Sequence, residues 1–375
     1  MKRPLSIYVH VPFCRSKCLY CDFASWPNRL ELRDAYLNAL IEELEGWREQ
    51  LAERRIVTVF FGGGTPTLMP EGWIPAVLEA VARLGQVDAD AEITMEGNPG
   101  TLDPAALRAC RAAGVNRLSL GVQAMDDRLL RSLGRIHTVA DAERAVETAR
   151  AAGFDNLNLD LMYALPGQSE RDWDDTLRRA TRLSPEHISA YSLIVEEGTP
   201  LEAMVARGEA VPADEDTAVR MQRAATRALA QAGFERYEIS NYAKPGRACR
   251  HNLVYWRRGD YLGIGCAAHS LLNGERFENA RDPEAYMAGG QRLNRAALDT
   301  EAAMEETLML STRLCEGLNL DAWRAAFNED FEQAHAAQLR TLTRGGFVSA
   351  RDGRLRLTER GMEVQDAVVL TLMRA

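Results

Sequence analysis

Cys14, Cys18 and Cys21 fall close together in the run Cys14-Arg15-Ser16-Lys17-Cys18-Leu19-Tyr20-Cys21, just after an apolar stretch, Ile7 to Val11, and the pair Pro12-Phe13. Thiolates are soft ligands, so three of them at this spacing point to a metal centre. A structural zinc site and a common iron–sulfur cluster each use one ligand more. A cluster held by three protein ligands leaves one iron open, and an open iron can bind and activate a further molecule. Two plainer readings stand beside this one. Zinc could borrow His10 as a fourth ligand, or the loop could be structural. The other cysteines, Cys110, Cys249, Cys266 and Cys315, are scattered and read as buried thiols of a reducing compartment.

Polar residues gather after successive apolar runs. The second run leads into Gly62-Gly63-Gly64-Thr65-Pro66. Consecutive glycines let a ligand approach the backbone and free N–H and C=O groups to bind it; a tight turn is the alternative. No Lys-Ser or Lys-Thr follows, so this is not a Walker phosphate loop. Glu96 opens Glu96-Gly97-Asn98-Pro99-Gly100 after the third run. A buried carboxylate is costly there unless a cationic or hydroxyl-bearing ligand meets it. Gln123 closes the fourth run, Arg135 follows in Gly134-Arg135-Ile136-His137, and Asp160 lies in the fifth, before Tyr163-Ala164-Leu165-Pro166-Gly167. Singly, each reads as a surface or salt-bridge group. Together they suit an amino acid that carries a ribose: arginine for the carboxylate, backbone for the ammonium, Asp or Gln for hydroxyls.

The elements that must hold these residues alternate. Short Val/Ile/Leu/Phe-rich runs at Ile7–Val11, Val57–Phe61, Glu92–Met95, Arg117–Val122, Leu157–Met162 and Ile188–Val195 read as buried parallel strands. Helical periodicity fills the gaps, as at Leu30–Leu51 and Thr217–Ala232. Gly85, Gly114, Gly153 and Gly233 read as C′ caps, and Asp103-Pro104 as an N-cap with Pro at the first helical position. Six βα units predict an α/β fold, a partial (β/α)6 barrel, with its chemistry at the strand C-termini. After Thr300 the pattern changes. Helices are expected at Thr300–Leu314, Leu320–Phe327 and Phe331–Arg344, a hairpin about Asp352-Gly353, and a last helix over Thr358–Met373. That order reads as a small winged-helix-like domain. The expected division is residues 1–235 for the barrel, 236–299 for a connecting segment, and 300–375 for the C-terminal domain.

Composition narrows the class. The chain has 375 residues, 46% hydrophobic and 26% charged, with a net charge of -9. This describes an ordinary globular protein of more than one domain. The acidic balance argues against a nucleic-acid partner. No run approaches the roughly 18 apolar residues of a membrane span, and no signal-peptide pattern opens the chain. The expected location is the cytoplasm, with room for a peripheral membrane contact.

The cysteine spacing and the glycine motif resemble the radical S-adenosylmethionine (SAM) superfamily. Longer strings, Ile7–Cys14, Phe60–Pro66, Leu118–Gln123 and Asn158–Gly167, resemble the oxygen-independent coproporphyrinogen III oxidase family over nearly the whole chain. The resemblance implies a [4Fe-4S] cluster on Cys14, Cys18 and Cys21, with SAM chelating the unique iron. It implies that Tyr8 and the main chain of Tyr20 touch SAM, that Gly63, Gly64 and Thr65 hold its amino-acid end, and that Glu96, Gln123, Arg135 and Asp160 complete the site. In the oxidases a reduced cluster cleaves SAM to a 5′-deoxyadenosyl radical.

Two departures stand out. The oxidases carry a fourth Cys two residues past the third, where this chain has Phe23. They also carry an N-terminal extension, for which this sequence leaves no room before Cys14. Both resemble the haem-chaperone branch of that family, HemW, as does His251-Asn252-Leu253-Val254-Tyr255-Trp256. The resemblance implies that the chain binds haem, with His251 in contact with it, and delivers haem to haem-dependent, respiratory proteins. A homodimer is compatible with it. Histidine is a common axial haem ligand and aromatic rings stack on a macrocycle; a hydrogen-bonded His beside packed aromatics is the alternative. The competing activity is SAM-dependent oxidative decarboxylation of coproporphyrinogen III.

Overall fold

The computed structural model describes residues 2–373. The six apolar runs form strands β1 (Arg3–Val11), β2 (Arg54–Gly63), β3 (Gln86–Gly97), β4 (Arg117–Gln123), β5 (Leu157–Tyr163) and β6 (His187–Ser192). They pair in parallel and in chain order. Leu5, Ile7, Val9 and Val11, on one face of β1, are all buried, and so are Ser6 and His10 on the other. Capping boxes at Thr138/Asp141 and Ser169/Asp172 start two of the crossover helices. Asp103 caps the helix Pro104–Ala112 through the Ala106 N–H, as its sequence predicts.

Some local expectations fail for identifiable reasons. The sixth strand stops at Ser192, not Val195, where Leu193 N–H turns back to the Tyr163 carbonyl. Leu30–Leu51 is not one helix. A 3-10 turn precedes Arg33–Glu45, and the chain breaks at Gly46-Trp47 before Arg48–Ala52. Trp47 is drawn out of the helix onto Phe277, with the rings stacked 5.5 Å apart. Gly114, Gly153 and Gly233 take the left-handed φ of a C′ cap. Gly85 is extended instead, because β3 starts at the next residue.

The stretch after residue 235, expected to be a connecting segment, is built into the same sheet. Strands β7 (Glu235–Glu238) and β8 (Asn241–Ala243) extend it beyond β6. Strands β9 (Tyr261–Ile264), β10 (His269–Leu272), β11 (Glu275–Glu278) and β12 (Leu293–Ala297) extend it beyond β1. Only β9 of these runs parallel to its older neighbour, β1.

A second hydrophobic cluster, from Leu308 to Leu372 and centred on Trp323 and Phe331, lies apart from the sheet core. It holds helix Thr300–Arg313, strand β13 (Leu318–Asn319), helix Leu320–Phe327, helices Phe331–Ala334 and Ala336–Arg344, and the hairpin β14 (Val348–Arg351) and β15 (Arg354–Leu357). Asp352 and Gly353 both have positive φ, as a two-residue type I′ hairpin requires. The expected helices over Phe331–Arg344 and Thr358–Met373 are each interrupted, at His335 and Val364. Helix, strand, helices and hairpin, with sheet order β13-β15-β14, form the winged-helix arrangement.

Candidate radical SAM site

The cysteine loop leaves β1 at Val11 and is tied down on several sides. Trp26 N–H bonds to the Pro12 carbonyl and Cys14 N–H to Trp26, closing the loop on itself. Leu19 N–H bonds to the Leu133 carbonyl, and Leu201 N–H bonds back to Leu19. The glycine motif grips the loop from below: Gly64 N–H donates to Val11 and Thr65 N–H to Phe13, each at 2.8 Å. These contacts leave no space for side chains. A Cβ on Gly63 (φ +105°) would sit 2.3 Å from the His10 ring, and one on Gly64 would sit 2.6 Å from the Phe13 carbonyl. The glycines therefore serve close backbone packing. Their N–H groups, expected to be free for a ligand, are already bonded; Gly63 N–H goes to Glu96 Oε2 at 3.1 Å.

At the strand ends lies a cavity of about 470 Å³, within the usual ligand-site range of roughly 300–1,000 Å³. Cys14, Cys18, Cys21, Tyr20, Gly63, Gly64, Thr65, Glu96, Gln123, Arg135 and Asp160 all line it. Glu96 is raised to about 8, first by burial and then by the charge of Asp160. Burial also raises Asp160, although Ser119 and Asn158 donate to it at 3.1 and 2.7 Å. Two carboxylates with so little cationic compensation suit a ligand that brings its own positive charge. Gln123 sits at a bulge in β4 with φ of 67°, a strained position for a residue with a side chain. Its Oε1 accepts the Tyr191 hydroxyl at 2.9 Å.

Arg135 differs from its expected carboxylate clamp. Its Nη1 donates to Cys18 Sγ at 3.2 Å and its Nη2 to the Gly121 carbonyl at 2.6 Å, while Nε is buried without a partner. The Thr65 hydroxyl points to Cys14 Sγ at 3.6 Å. Burial pushes the Cys14 and Cys21 thiols up, and a bound metal reverses this by displacing the thiol proton.

The donor set fits a four-iron cluster better than zinc. His10, the expected fourth zinc ligand, bonds through Nε2 to the Ala24 carbonyl at 2.8 Å and through Nδ1 to Tyr8 at 3.0 Å. Burial lowers its ring to about 4. Among the described residues no three His, Cys, Asp or Glu groups converge as one metal ion requires. In a cluster each thiolate takes a different iron, so three thiols spread around one cavity are what it needs.

Tyr8 and His251 lie elsewhere, on a second cavity of about 200 Å³ that shares Glu96 and Asp160 with the first. The motif helix Arg250–Trp256 closes the barrel interior there, its Arg250 and His251 N–H groups on the Glu92 carboxylate at 2.9 Å. His251 stacks on Phe60, and its ring nitrogens meet Thr58 and Tyr255 at 2.7 and 2.9 Å. Asn252 bonds Tyr237, and Trp256 lies under Arg313 of the C-terminal domain. His251 is only 2% exposed, and its cavity is smaller than ordinary ligand sites. The expected haem contact at His251 is thus not offered to a macrocycle: both ring nitrogens serve the protein's own hydroxyls. Cys249, likewise buried, donates to Glu92. His269 is exposed and faces Glu278 across β10 and β11.

Tyr191, Ser119, Ile194 and Lys17, which no motif marks as site residues, also line the larger cavity, as does Phe23, marked in the sequence only by the cysteine it replaces. Ser119 and Tyr191 lie on the same strands that point to Gln123 and Asp160. Phe23, Ile194 and Lys17 sit in loops beyond the strand ends, where no periodicity marks them.

A parallel β/α sheet with three thiols and a polar set at its strand ends defines a radical SAM protein. The model of the radical SAM superfamily matches residues 8–180, and that of the HemN C-terminal domain matches residues 298–364. The chain is 37% identical to the haem chaperone HemW of Mycobacterium tuberculosis, over 99% of this chain and 95% of that one. It is 38% identical to HemW of Escherichia coli, over 89% and 92%. The chain therefore belongs to the HemW family. The solved structure of coproporphyrinogen III oxidase (HemN) from Escherichia coli superposes with a TM-score of 0.85 at 24% identity, covering 99% of this chain and 90% of that one, which bears on the fold. Superfamily membership brings a [4Fe-4S] cluster and SAM as resident cofactors, the groups that the larger cavity fits. No helix among the described residues is long and apolar enough to cross a membrane.

Proposed function

We propose that this chain is a haem chaperone: it binds haem and passes it to haem-dependent, respiratory proteins, using the cluster and SAM as resident groups. The observation that carries the reading is the likeness to haem chaperones HemW along almost the entire chain. Phe23, where a fourth cysteine would stand in an oxidase, supports it.

In this reading Cys14, Cys18 and Cys21 would hold the cluster and SAM would complete its coordination. When bound, the cluster would serve as an electron donor to SAM. The chain's own residues do the positioning. Glu96 and Asp160 meet the positive charge of SAM, Gln123 and the Tyr20 main chain take polar contacts, and Gly63, Gly64 and Thr65 wall the amino-acid end. Arg135 steadies Cys18. Residues 300–375, with their own apolar cluster, are the part that docks a recipient. We place the protein in the cytoplasm, as a monomer or homodimer that reaches its recipients at the membrane surface.

The test is anaerobic reconstitution followed by two assays on one preparation. Haem should bind and move to an apo-haemoprotein, while coproporphyrinogen III with SAM and reductant should stay unchanged. Sustained formation of protoporphyrinogen IX would overturn the reading in favour of the oxidase.

A further inference from the structure

Large apolar side chains left in water need a reason when they share one opening. Phe23 is 60% exposed and Ile194 is 66% exposed, and both border the cavity of the three thiols. Neither hangs from a loose chain. The Phe23 carbonyl accepts Ser25 N–H at 2.7 Å and the Lys17 ammonium at 3.1 Å. Ile194 follows Leu193, whose N–H is fixed to the Tyr163 carbonyl at 2.9 Å. Two anchored backbones thus present a ring and a branched aliphatic group to solvent at the mouth of the cavity.

The resident SAM does not account for them: its amino-acid and ribose groups call for the polar residues deeper in, and its adenine has Tyr20, Met162 and Leu193 of the same cavity to pack on. What would cover Phe23 and Ile194 is an apolar plane. Lys17 adds a cation at the same rim. It is exposed, and of its three N–H donors one is spent on Phe23, leaving two for an anion. Asp22 and Glu196 also border the cavity, so an anionic group at this edge is drawn to the side of Lys17. An apolar plane with anionic substituents on one side is the chemistry of haem with its propionates.

We infer that haem docks at this mouth, its macrocycle on Phe23 and Ile194 and a propionate on Lys17. The inference rests on the haem-chaperone reading and gives that reading a site. Among the described residues no histidine borders the cavity. The site therefore holds haem by its face and its propionate, without an axial imidazole from this chain, which suits a ligand that must be released. It also sets the haem beside the cluster loop, with Phe23 two residues beyond Cys21.

The test titrates haem into the full, cluster-loaded chain and follows the Soret band. Phe23→Ser and Ile194→Ser should each weaken binding by about 10-fold or more, from the apolar burial lost, and the pair should weaken it further. Lys17→Glu should give a smaller loss that shrinks at high salt. Val211→Ser is the control for unspecific adhesion: Val211 is 73% exposed and lies outside this cavity, so its affinity should not change. Iron content must be equal across the set. Bound haem, ferrous under the reductant that makes the cluster paramagnetic and itself paramagnetic without strong axial ligands, should also broaden the electron paramagnetic resonance of the reduced cluster. Equal haem affinity in the wild type and the Phe23/Ile194 double variant, or a cluster signal blind to haem, would overturn this site and leave the chaperone reading standing. A wild type that binds no haem would remove both.

Discussion

Arg135 joins two parts of the site that are far apart in sequence: one guanidinium nitrogen is 3.2 Å from Cys18 Sγ and the other holds the Gly121 carbonyl at the bulge of β4. A charge-assisted hydrogen bond to a ligating sulfur favours its negative charge. Such bonds are among the means by which proteins set cluster potentials. Arg135→Leu should make the reduced, more negative cluster harder to reach and shift its midpoint potential downward, with Arg135→Lys in between. A redox titration followed by electron paramagnetic resonance measures this. Equal potentials in all three proteins would deny Arg135 that role.

Cys18→Ala leaves two thiols for a cluster that needs at least three protein ligands here. Iron and sulfide content and the brown absorbance should fall to a small residue of the wild-type values. Cys18 itself is not part of the apolar core, so the thermal midpoint of the cluster-free proteins should be nearly the same. Full iron content in the variant would mean that the cluster sits elsewhere.

Glu96 makes stability depend on pH. Its folded-state value of about 8 lies above the ordinary 4.5. Between those values the folded chain holds a proton that the unfolded chain has lost. Stability therefore falls as pH rises from about 4.5 to about 8, and levels off beyond. Glu96→Gln removes that slope. Denaturant unfolding of the SAM-free protein should show the variant gaining on the wild type from pH 5 to pH 8, on the order of a few kcal/mol. Parallel pH curves would contradict the burial of Glu96.

His251 works in the opposite sense. Burial, with Arg117 second, lowers it to about 3, below the ordinary 6.5. The unfolded chain takes up a proton that the folded chain refuses, so this group's share of stability is present above about 6.5 and is lost as pH falls toward 3. His251→Ala strands the Tyr255 hydroxyl, leaves Thr58 with Ser6 alone and opens a buried space; it should cost roughly 2–4 kcal/mol at neutral pH, with a shallower acid limb. Its haem affinity, measured where the variant is folded, should match the wild type. A specific loss of haem with unchanged stability would return His251 to the haem site.

These relationships were unequally legible in the sequence. The six parallel strands announced themselves because strands buried on both faces must be apolar throughout, and the polar residues after them then marked the strand ends. The cysteine spacing marked the cluster loop for the same local reason. Strands β7 to β12 are short, and their patterns are weak: β11 reads Glu-Arg-Phe-Glu and β12 is exposed along its length. Asn273-Gly274 between β10 and β11 is a local hairpin signal, but the pairings that join this stretch to the sheet, β9 on β1 and β8 on β6, span long separations that no local pattern declares. The His251 motif shows which residues are present but not which way they face. The fold turns the imidazole inward, onto hydroxyls from β2 and from its own helix. Phe23 carried a signal in what it replaces, yet its exposure at the cavity mouth follows only from how Ser25 and Lys17 pin its backbone.

The most direct test of the central claim compares haem transfer with porphyrinogen turnover in the same reconstituted, SAM-loaded protein. The chain should take up haem, yield it to an apo-haemoprotein, and leave coproporphyrinogen III unchanged under reductant. Steady conversion of coproporphyrinogen III to protoporphyrinogen IX, with no haem taken up, would contradict the account.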